Sequence, residues 1–597
     1  MAERVIILGG GIAGLTAAHE LGERGFEVEV FEKRPIPGGK ARSIPARDPV
    51  RDGPLGGLVP GTARVGHRPL LPGEHGFRFF PGFYTHVIDT MARIPFRGGA
   101  VADGLVDTSR VRVARAFQPS VYYPDRLPQS ALELAQLVRF VVGVLGAEMG
   151  VSAVDTAFFA EKIFQILSSC DARKRAEYEY IGWWKFIDAE ARSEAYQSFF
   201  GDSFTRSVVA AKAARANTRT IGNVSAALIL AALTPPKTAD RVLDGPTNDV
   251  WIDPWLAHLR RLGVRYHLDA EIVGIEYHRG AIRSATVRSE GRVSRVEGDH
   301  FVAALPVERL ATLLTEPMIA ADPALGRLSE LSEYTEWMNG IQFYLTEDRP
   351  LVHGHTVYMD SPWALTSVSQ AQFWPRIDFS KYGNGGVRGI ISVCVSDWDV
   401  PGSNGKRADE CTRDEIMAEV WKQLKDSLNV GGEVLLRDDM LHHWFLDPAI
   451  EDSDPDRAGI ESNAEPLLVN YVDTWRLRPE AASAIPNLFL ASDYVRTTTD
   501  IATMEAANEA ARRAVNGILA ASRSGAEPCR LWNPYEPALF APWRAYDQAR
   551  FDAGLSWDAP LDREAHAALE AAEVAEVAEV ADVWRRLRPG PLRILSE

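Results

Sequence analysis

The sequence has little cysteine and no excess of positive charge. Its 597 residues include only four cysteines, and none stand at the spacing of a metal-binding or redox pair: Cys170, Cys394, Cys411 and Cys529. Reduced, mostly buried thiols of a cytoplasmic protein are therefore expected. The formal net charge of −16 excludes the usual nucleic-acid-binding proteins, which carry a basic face. We predict a small-molecule substrate and no nucleic-acid partner.

The sequence also lacks long apolar runs. No run of about twenty apolar residues occurs, so no segment is predicted to span a membrane. Too few residues precede the apolar stretch Val5 to Leu8 for a signal peptide. Residues 132–145 are nearly apolar, which fits either a buried core helix or a segment that docks on a membrane surface. Peripheral membrane contact and the oligomeric state are left open.

The first residues follow the order strand, glycine turn, helix, strand, acid. Residues 4–8 are a β-branched run, and residues 9–14 read Gly-Gly-Gly-Ile-Ala-Gly. Apolar residues then recur at helical spacing as far as Arg24, and an alternating strand ends at Glu32. This order predicts a dinucleotide-binding α/β unit.

Each residue of that pattern has a physical function. Gly9 permits the tight turn, Gly11 lets the backbone approach a pyrophosphate, and Gly14 lets the helix pack on the strand. The helix N-terminus offers unpaired N–H groups to the phosphates. Glu32 stands where a carboxylate accepts hydrogen bonds from ribose hydroxyls.

A second glycine motif follows at once. Residues 33–43 read Lys-Arg-Pro-Ile-Pro-Gly-Gly-Lys-Ala-Arg-Ser, which resembles the second glycine motif of the amine oxidase and phytoene desaturase flavoprotein superfamily. The resemblance implies FAD rather than NAD. It places five residues along the FAD pyrophosphate and ribityl chain: Lys33, Gly38, Gly39, Lys40 and Arg42. Lys40 stands where amine oxidases usually carry arginine, and a basic surface turn is the alternative interpretation.

Residues 485–521 resemble the closing motif of the same superfamily. A strand ends at Asp493, a polar loop follows, and a long helix begins near Thr503 and Met504. The resemblance implies that Asp493 binds a ribityl hydroxyl and that the helix directs its positive end at the edge of the flavin ring. Ser492 and Ala507 replace two glycines of the family pattern, and an ordinary strand–loop–helix is the alternative.

The resemblance also implies an α/β two-domain flavoprotein with interleaved segments. Ile272 is expected to present its backbone to the adenine side of FAD. The expected Rossmann-like FAD-binding domain comprises residues 1–89, 241–315 and 485–525. The substrate domain comprises a helix-rich segment, residues 90–240, and a mixed α/β segment, residues 316–484, and residues 526–597 form a C-terminal helical extension.

Candidate catalytic residues lie in an aromatic stretch, residues 72–84. Glu74, His75 and Arg78 are embedded there among phenylalanines, where polar groups are expected to have shifted pKa values. The alternative is that His75 and Arg78 only bind backbone or the FAD phosphate. Four aromatic residues are predicted to line a substrate cavity or, alternatively, to belong to the ordinary core: Trp183, Trp337, Tyr358 and Trp363. No metal site is predicted.

The chain resembles the carotenoid desaturases and hydroxysqualene dehydroxylase within this superfamily. The resemblance implies an FAD-dependent oxidoreductase in which flavin N5 accepts a hydride from a lipophilic, isoprenoid or carotenoid-like substrate. One alternative is an amine or amino-acid oxidase that releases hydrogen peroxide, although no aromatic cage pair is seen near the closing motif. The other alternative is a redox-neutral isomerase or a non-catalytic flavoprotein.

Overall fold

The computed structural model describes most of the chain: residues 2–46, 64–65, 68–124, 150–233, 240–452, 459–533 and 540–558. The apolar stretch 132–145 and the alanine-rich residues near the C-terminus lie outside these ranges. Across the described ranges, every helix is too short or too polar to cross a membrane.

A five-stranded parallel sheet forms the centre of the molecule. Its strands are β1 (Arg4–Leu8), β2 (Glu27–Phe31), β3 (Arg265–His267), β4 (His300–Ala303) and β5 (Leu488–Leu490), in the order β3-β2-β1-β4-β5. Every neighbouring pair is parallel. A sheet of this kind is buried on both faces, as the β-branched run of β1 predicts. The α/β class expected from the sequence is confirmed.

The strand order determines where a ligand binds. The chain leaves β1 towards β2 on one side, and the later strands β4 and β5 are added on the other side. In such sheets a crevice opens at the carboxyl ends of the strands where the order reverses. Gly9 follows β1, Glu32 follows β2 and Asp493 lies just beyond β5, so all three lie at this edge. The strands come from three separated stretches of chain. The exact domain boundaries given above stay a prediction.

Four helices support this edge: α1 (Ile12–Glu23), α2 (His86–Ala92), α3 (Asp253–Arg261) and α4 (Met504–Ala521). Helices α1 and α4 pack against each other and contribute their apolar faces to the same core as the sheet. Asn508 Nδ2 in α4 donates to Thr16 Oγ1 in α1 at 2.9 Å. The first and last thirds of the chain are therefore held together beside the crevice.

A second, seven-stranded sheet carries the other half of the molecule. Only one of its neighbouring pairs is parallel, and helix Arg413–Leu428 packs on it through an apolar cluster. In spatial order its strands are Gln118–Pro124, Arg110–Arg115, His355–Tyr358, Thr366–Ser369, Gly389–Val395, Asn339–Leu345 and Leu441–Leu446.

The remaining elements complete the two halves. A three-stranded sheet extends from the central one: Ala270–His278, Ala281–Ser289 and Arg292–Val296. A helical group covers one end of the second sheet: Ala153–Ser168, Asp171–Ala176, Trp183–Phe186, Phe204–Val209 and Thr218–Leu233. Three helices follow β4, Val307–Ala311, Glu316–Ala321 and Pro323–Leu331, and helix Ala541–Asp552 lies near the end of the described chain.

Candidate functional site

The three glycines of the first turn occupy different surroundings. A Cβ on Gly14 would lie 2.0 Å from the carbonyl oxygen of Gly9, and a Cβ on Gly9 would lie 2.5 Å from that of Ala304. Gly9 also has a left-handed φ of 107°. A Cβ on Gly11, in contrast, would meet only Gly39 Cα, at 3.7 Å. Gly9 and Gly14 are therefore required for packing, whereas Gly11 faces the crevice.

The second glycine loop lies directly on the first. Gly38 pairs with Gly11 in a backbone bridge, and the Gly38 N–H donates to the Gly10 carbonyl at 3.3 Å. Gly38 and Gly39 both have positive φ, and a Cβ on Gly39 would lie 2.8 Å from Gly11 Cα. Two backbone turns thus form a cradle without side chains. Together with the N-terminus of α1, this cradle fits a pyrophosphate.

Glu32 directly follows β2, at the end of the crevice where we predict the nucleoside. It is 6% exposed and accepts hydrogen bonds from the N–H groups of Gly10 at 2.9 Å and Arg34 at 3.0 Å. Burial raises the pKa of this carboxyl, and the two N–H donors offset part of the rise. The Ala270 N–H donates to the Glu32 carbonyl at 2.8 Å, which brings Ile272, two residues on, close to this end. Contact between Ile272 and adenine stays a prediction.

The basic residues of the second loop differ in what they contact. Lys33 is exposed at the surface. Lys40 Nζ donates to the Pro466 carbonyl and lies 3.7 Å from Glu308. Arg42 is 3% exposed and donates to both carboxylate oxygens of Glu465, at 2.9 and 3.0 Å. Arg42 therefore fixes the loop to the segment that contains Glu465. Contact of Arg42 or Lys33 with a cofactor stays a prediction.

The closing motif presents a carboxylate and a helix end to the same crevice. Asp493 is partly exposed, and Arg478 Nη1 holds its carbonyl at 2.6 Å. Thr503 caps α4 by accepting the Ala506 N–H at 3.1 Å. The N–H groups of Met504 and Glu505, in the first turn, have no intrahelical acceptor. These residues could hold a ribityl chain and the negative edge of a reduced flavin ring.

Glu505 has a function that the sequence did not indicate. Its buried carboxylate accepts the N–H groups of Thr85 at 2.8 Å, His86 at 2.7 Å and Val87 at 2.9 Å, which are the free donors at the start of α2. His86 Nδ1 adds a fourth contact at 2.7 Å. A glutamate 419 residues away from His86 thus caps a helix of the first segment. The only sequence signal is its place in the first turn of α4, and acids are common there because they interact favourably with the dipole of their own helix.

Glu74 and Arg78 are both engaged with other parts of the protein. Glu74 accepts hydrogen bonds from Ser43 Oγ, Thr247 N and Thr247 Oγ1, each at 3.0 Å, and burial raises its pKa to about 7. Arg78 donates to the carbonyls of Gly76 at 2.7 Å and Lys40 at 2.5 Å, and burial lowers its pKa. Both side chains join the aromatic stretch to neighbouring loops, and a catalytic role for either stays a prediction.

The shifted Glu74 carboxyl predicts a dependence of stability on pH. Its folded pKa of about 7 exceeds the ordinary value of 4.5, so the folded state holds the proton longer than the unfolded state. The stabilisation that this carboxyl gives the folded state is fully present below pH 4.5. It is lost as the pH rises from about 4.5 to about 7, and above that it no longer changes. In Glu74→Gln this fall should be absent, a difference on the order of 3 kcal/mol between pH 4.5 and pH 8. Urea unfolding of both proteins at several pH values in this range measures the difference. If the free energy of unfolding changed with pH in the same way for both, the raised pKa of Glu74 would be contradicted.

His75 differs from its two neighbours. Its side chain is 10% exposed, and Nδ1 lies 2.5 Å from Asp447 Oδ2 and 3.5 Å from Glu465 Oε2. Burial acts to raise the pKa of Asp447, but His75, the Ala449 N–H and the Asn339 amide outweigh it and lower that pKa to about 2. Of the three catalytic candidates, His75 alone has two carboxylates beside its ring. Asp447 and Glu465 were not predicted, because each is hundreds of residues away in sequence.

Most of the predicted cavity aromatics lie in the core. Trp183 and Trp363 have no accessible surface, and their indole N–H groups donate to the carbonyls of Phe200 at 2.8 Å and Val400 at 3.0 Å. Tyr358 is also buried and shares a hydrogen bond with Ser367 Oγ at 2.9 Å. Trp337 alone of the four is partly exposed. In this conformation only Trp337 offers surface to a substrate; substrate contact by any of them stays a prediction.

Three side chains away from the crevice lie at metal-ligand spacing: His19, Glu23 and His258, whose ligand atoms lie within 4.8 Å of one another. Trp255 Nε1 donates to His19 Nδ1 at 3.1 Å, so the proton of a neutral His19 must be on Nε2. Nε2 lies 3.0 Å from Glu23 Oε1 and acts there as a donor. This arrangement is a hydrogen-bonded chain that ties α3 to α1, and it leaves no lone pair on Nε2 for a metal.

Two family models match the chain. The model described as NAD(P)-binding Rossmann-like domain matches residues 7–94, which contain both glycine turns and Glu32. The model described as flavin containing amine oxidoreductase matches residues 230–519, which contain Asp447, Asp493 and the start of α4. The two matches thus include every loop that meets at the crevice.

Similarity to individual proteins is more limited. A 67-residue stretch is 40% identical to an iron-sulfur subunit of CoB–CoM heterodisulfide reductase from Methanopyrus kandleri, which is 11% of this chain and only 10% of that protein. A structure of putrescine oxidase bound to putrescine aligns over 87% of this chain and 99% of its own, with a TM-score of 0.55 and 14% identity. The structure of cyclohexylamine oxidase from Brevibacterium oxydans IH-35A aligns over 88% of this chain and 99% of its own, with a TM-score of 0.53 and 12% identity. At these identities the structures show likeness of fold alone.

Proposed function

The chain belongs to the FAD-dependent amine oxidase superfamily, and from that membership we propose an FAD enzyme of the desaturase type that takes a hydride from a lipophilic, isoprenoid or carotenoid-like substrate. The protein is an oxidoreductase of the flavin-containing amine oxidase family. We propose that its flavin is FAD, held by the residues described above.

The residues at the crevice fit FAD. The cradle between Gly11 and Gly39 would take the pyrophosphate, Glu32 the ribose hydroxyls, and Asp493 a ribityl hydroxyl. When bound, the flavin supplies a hydride acceptor at N5. The protein would contribute the positive end of α4 to the edge of the ring that gains negative charge on reduction.

The observation that carries the substrate class is an apolar surface beside His75. Phe79, Met338 and Phe445 are partly accessible and pack on the buried cluster that includes Phe77. A Cβ on Gly73 would lie 2.7 Å from the Phe445 ring, so that ring lies against the strand leading to His75. Three apolar side chains with accessible surface around one apolar cluster favour a hydrocarbon over a charged substrate.

Amine oxidation is the second candidate, and the likeness to putrescine oxidase and cyclohexylamine oxidase is what favours it. The residues that directly precede α4 are Ile501, Ala502 and Thr503. None of these is aromatic, so this segment offers no pair of rings between which an ammonium group could be held. For that reason we place the amine oxidase second, and a redox-neutral or non-catalytic flavoprotein third.

Anaerobic bleaching of the flavin-bound protein distinguishes these functions. Polyenes in detergent form one panel, and putrescine, cyclohexylamine and amino acids form the other. Bleaching by a polyene alone is the expected result. Bleaching by an amine alone would replace the proposal with the oxidase, and a flavin that neither panel reduces would leave the third candidate.

Asp493 tests the cofactor geometry independently of the substrate. Asp493→Ala should weaken flavin binding by roughly 1.5–3 kcal/mol, which corresponds to about a 10- to 150-fold higher Kd, because a charged hydrogen bond to the ribityl chain is lost. Fluorescence titration of the apoprotein with FAD measures the Kd. Asp438→Ala, which removes an exposed carboxylate of the second half, is the matched control and should bind FAD like the parent. An unchanged Kd for Asp493→Ala would show that the closing motif does not contact the cofactor.

A further inference from the structure

One edge of the largely buried His75 ring keeps some accessible surface. Nδ1 is buried, while the side chain as a whole is 10% exposed, so the accessible edge is the one that carries Nε2. Among the described residues no hydrogen bond involves Nε2. The apolar surface of Phe79, Met338 and Phe445 lies beside the same stretch of chain, and Gly340 packs on the backbone of His75 and Gly76.

The opposite edge of the ring faces a carboxylate that is itself held rigidly. Asp447 has no exposed side-chain surface. Its Oδ1 accepts the Ala449 N–H at 3.0 Å, and its Oδ2 accepts Asn339 Nδ2 at 2.7 Å. Its own N–H donates to the Gly340 carbonyl at 3.0 Å. Oδ2 is close to Nδ1 of His75 but out of line with its N–H bond, and a small rotation of the ring would align them.

We propose that Asp447 is a positioning residue that keeps the proton of His75 on Nδ1 and thereby leaves Nε2 as the group that accepts the substrate proton. This inference rests on the proposed function and goes one step further, since it assigns the base. A carboxylate can only accept a hydrogen bond, so an imidazole nitrogen facing Asp447 must carry the hydrogen. The second carboxylate, Glu465 at 3.5 Å from the same nitrogen, favours the same tautomer.

The step balances as a dehydrogenation. One C–H bond of the substrate breaks, and a bound flavin would be the oxidant that takes up its electron pair as hydride. The neighbouring C–H bond breaks, its electron pair forms the new double bond, and its proton moves to His75 Nε2. The substrate loses two electrons and two hydrogens. The imidazole of His75 becomes an imidazolium, whose Nδ1 side faces the Asp447 carboxylate.

The structure predicts an informative effect of Asp447→Asn. The backbone N–H of Ala449 cannot reverse, whereas the side-chain amide of Asn339, which donates to Oδ2, can turn. The amide oxygen of the introduced asparagine therefore stays in the Oδ1 position and its NH₂ group replaces Oδ2. That NH₂ group then donates to Nδ1 and forces the His75 proton onto Nε2, which removes the base. The maximal rate of bleaching by a polyene should fall at least about 10-fold, with the half-saturating substrate concentration unchanged.

A second measurement does not depend on turnover. Diethyl pyrocarbonate modifies an unprotonated, accessible imidazole nitrogen, and peptide mass spectrometry measures its rate at each histidine. In the flavin-bound parent His75 should react through Nε2, and in Asp447→Asn its rate should fall about 10-fold or more while the other histidines keep theirs. Glu419→Gln is the matched control: Glu419 is a buried carboxylate that accepts Ser403 N–H at 2.7 Å, far from His75 in the hydrogen-bond network.

The outcomes separate this inference from the proposed function. A parent protein that no polyene bleaches refutes the proposed function, while the modification rates still decide which His75 nitrogen is free. A parent that is bleached, together with an Asp447→Asn protein of equal maximal rate, refutes the inference. Failure of His75 to react in the parent would also refute it. If Asp447→Asn does not fold, His75→Gln replaces it and should slow bleaching about 100-fold with flavin content retained.

Discussion

Gly11→Ala is expected to fold like the parent and to bind FAD more weakly, whereas Gly14→Ala is expected to be strongly destabilised. A methyl group on Gly11 meets only Gly39 Cα at 3.7 Å, and the φ of −76° suits alanine. It fills the cradle instead, so the Kd for FAD should rise about 10- to 100-fold. A methyl group on Gly14 would lie 2.0 Å from the Gly9 carbonyl, and neither backbone can move without separating α1 from β1.

The measurements for the two variants are an unfolding curve of each apoprotein in urea and its titration with FAD. Gly11→Ala should lose less than about 1 kcal/mol of stability: alanine is a poorer N-cap than glycine, but it also lowers the conformational entropy of the unfolded chain. Gly14→Ala should lose about 3 kcal/mol or more. Gly25→Ala is a useful comparison, because that glycine has a positive φ of 80° but open space around it, so its cost is backbone strain alone. Equal FAD affinity of Gly11→Ala and the parent would show that the cradle does not hold the pyrophosphate.

The parts of the site that the sequence predicts are those made by local chain geometry. The turn of Gly9 to Gly14 and the acid Glu32 follow from a strand, a helix and a second strand that are adjacent along the chain. The parallel sheet and its crevice follow from the same unit. The closing motif is far away in sequence, yet its strand ends at an acid and its helix begins at a capping threonine, both of which can be read locally.

The parts that could not be predicted are made by residues that meet only after folding. Nothing near Asp447 or Glu465 in the sequence distinguishes them from surface acids, and their importance comes from His75 and Arg42, which lie hundreds of residues earlier. Conversely, Glu74 and Arg78 stand out in an aromatic stretch, but in the structure both form hydrogen bonds to neighbouring loops. Trp183 and Trp363 likewise cannot be told from core residues by composition, because a buried indole looks the same in either setting.

Glu505→Ala is expected to cause the largest loss of stability among single changes in the closing motif. The alanine leaves the N–H groups of Thr85, His86 and Val87 at the buried start of α2 without an acceptor. Each unsatisfied buried donor costs on the order of 1–3 kcal/mol, and because these costs overlap we expect about 3–5 kcal/mol in total. Glu505→Gln keeps one acceptor oxygen and should lie about halfway. Urea unfolding of the apoprotein measures both.

The control for Glu505 is Glu316→Ala, since Glu316 occupies the first turn of a short helix but is exposed. Its carboxylate interacts only with the helix dipole through solvent, so its removal should cost less than about 1 kcal/mol. A loss of that small size for Glu505→Ala would mean that water replaces the carboxylate at α2. A large loss would show that the last segment of the chain holds the first segment in place. The flavin site would then depend on Glu505 without any contact between this side chain and the cofactor, because α2 and α4 would separate and carry the Met504 end of the crevice with them.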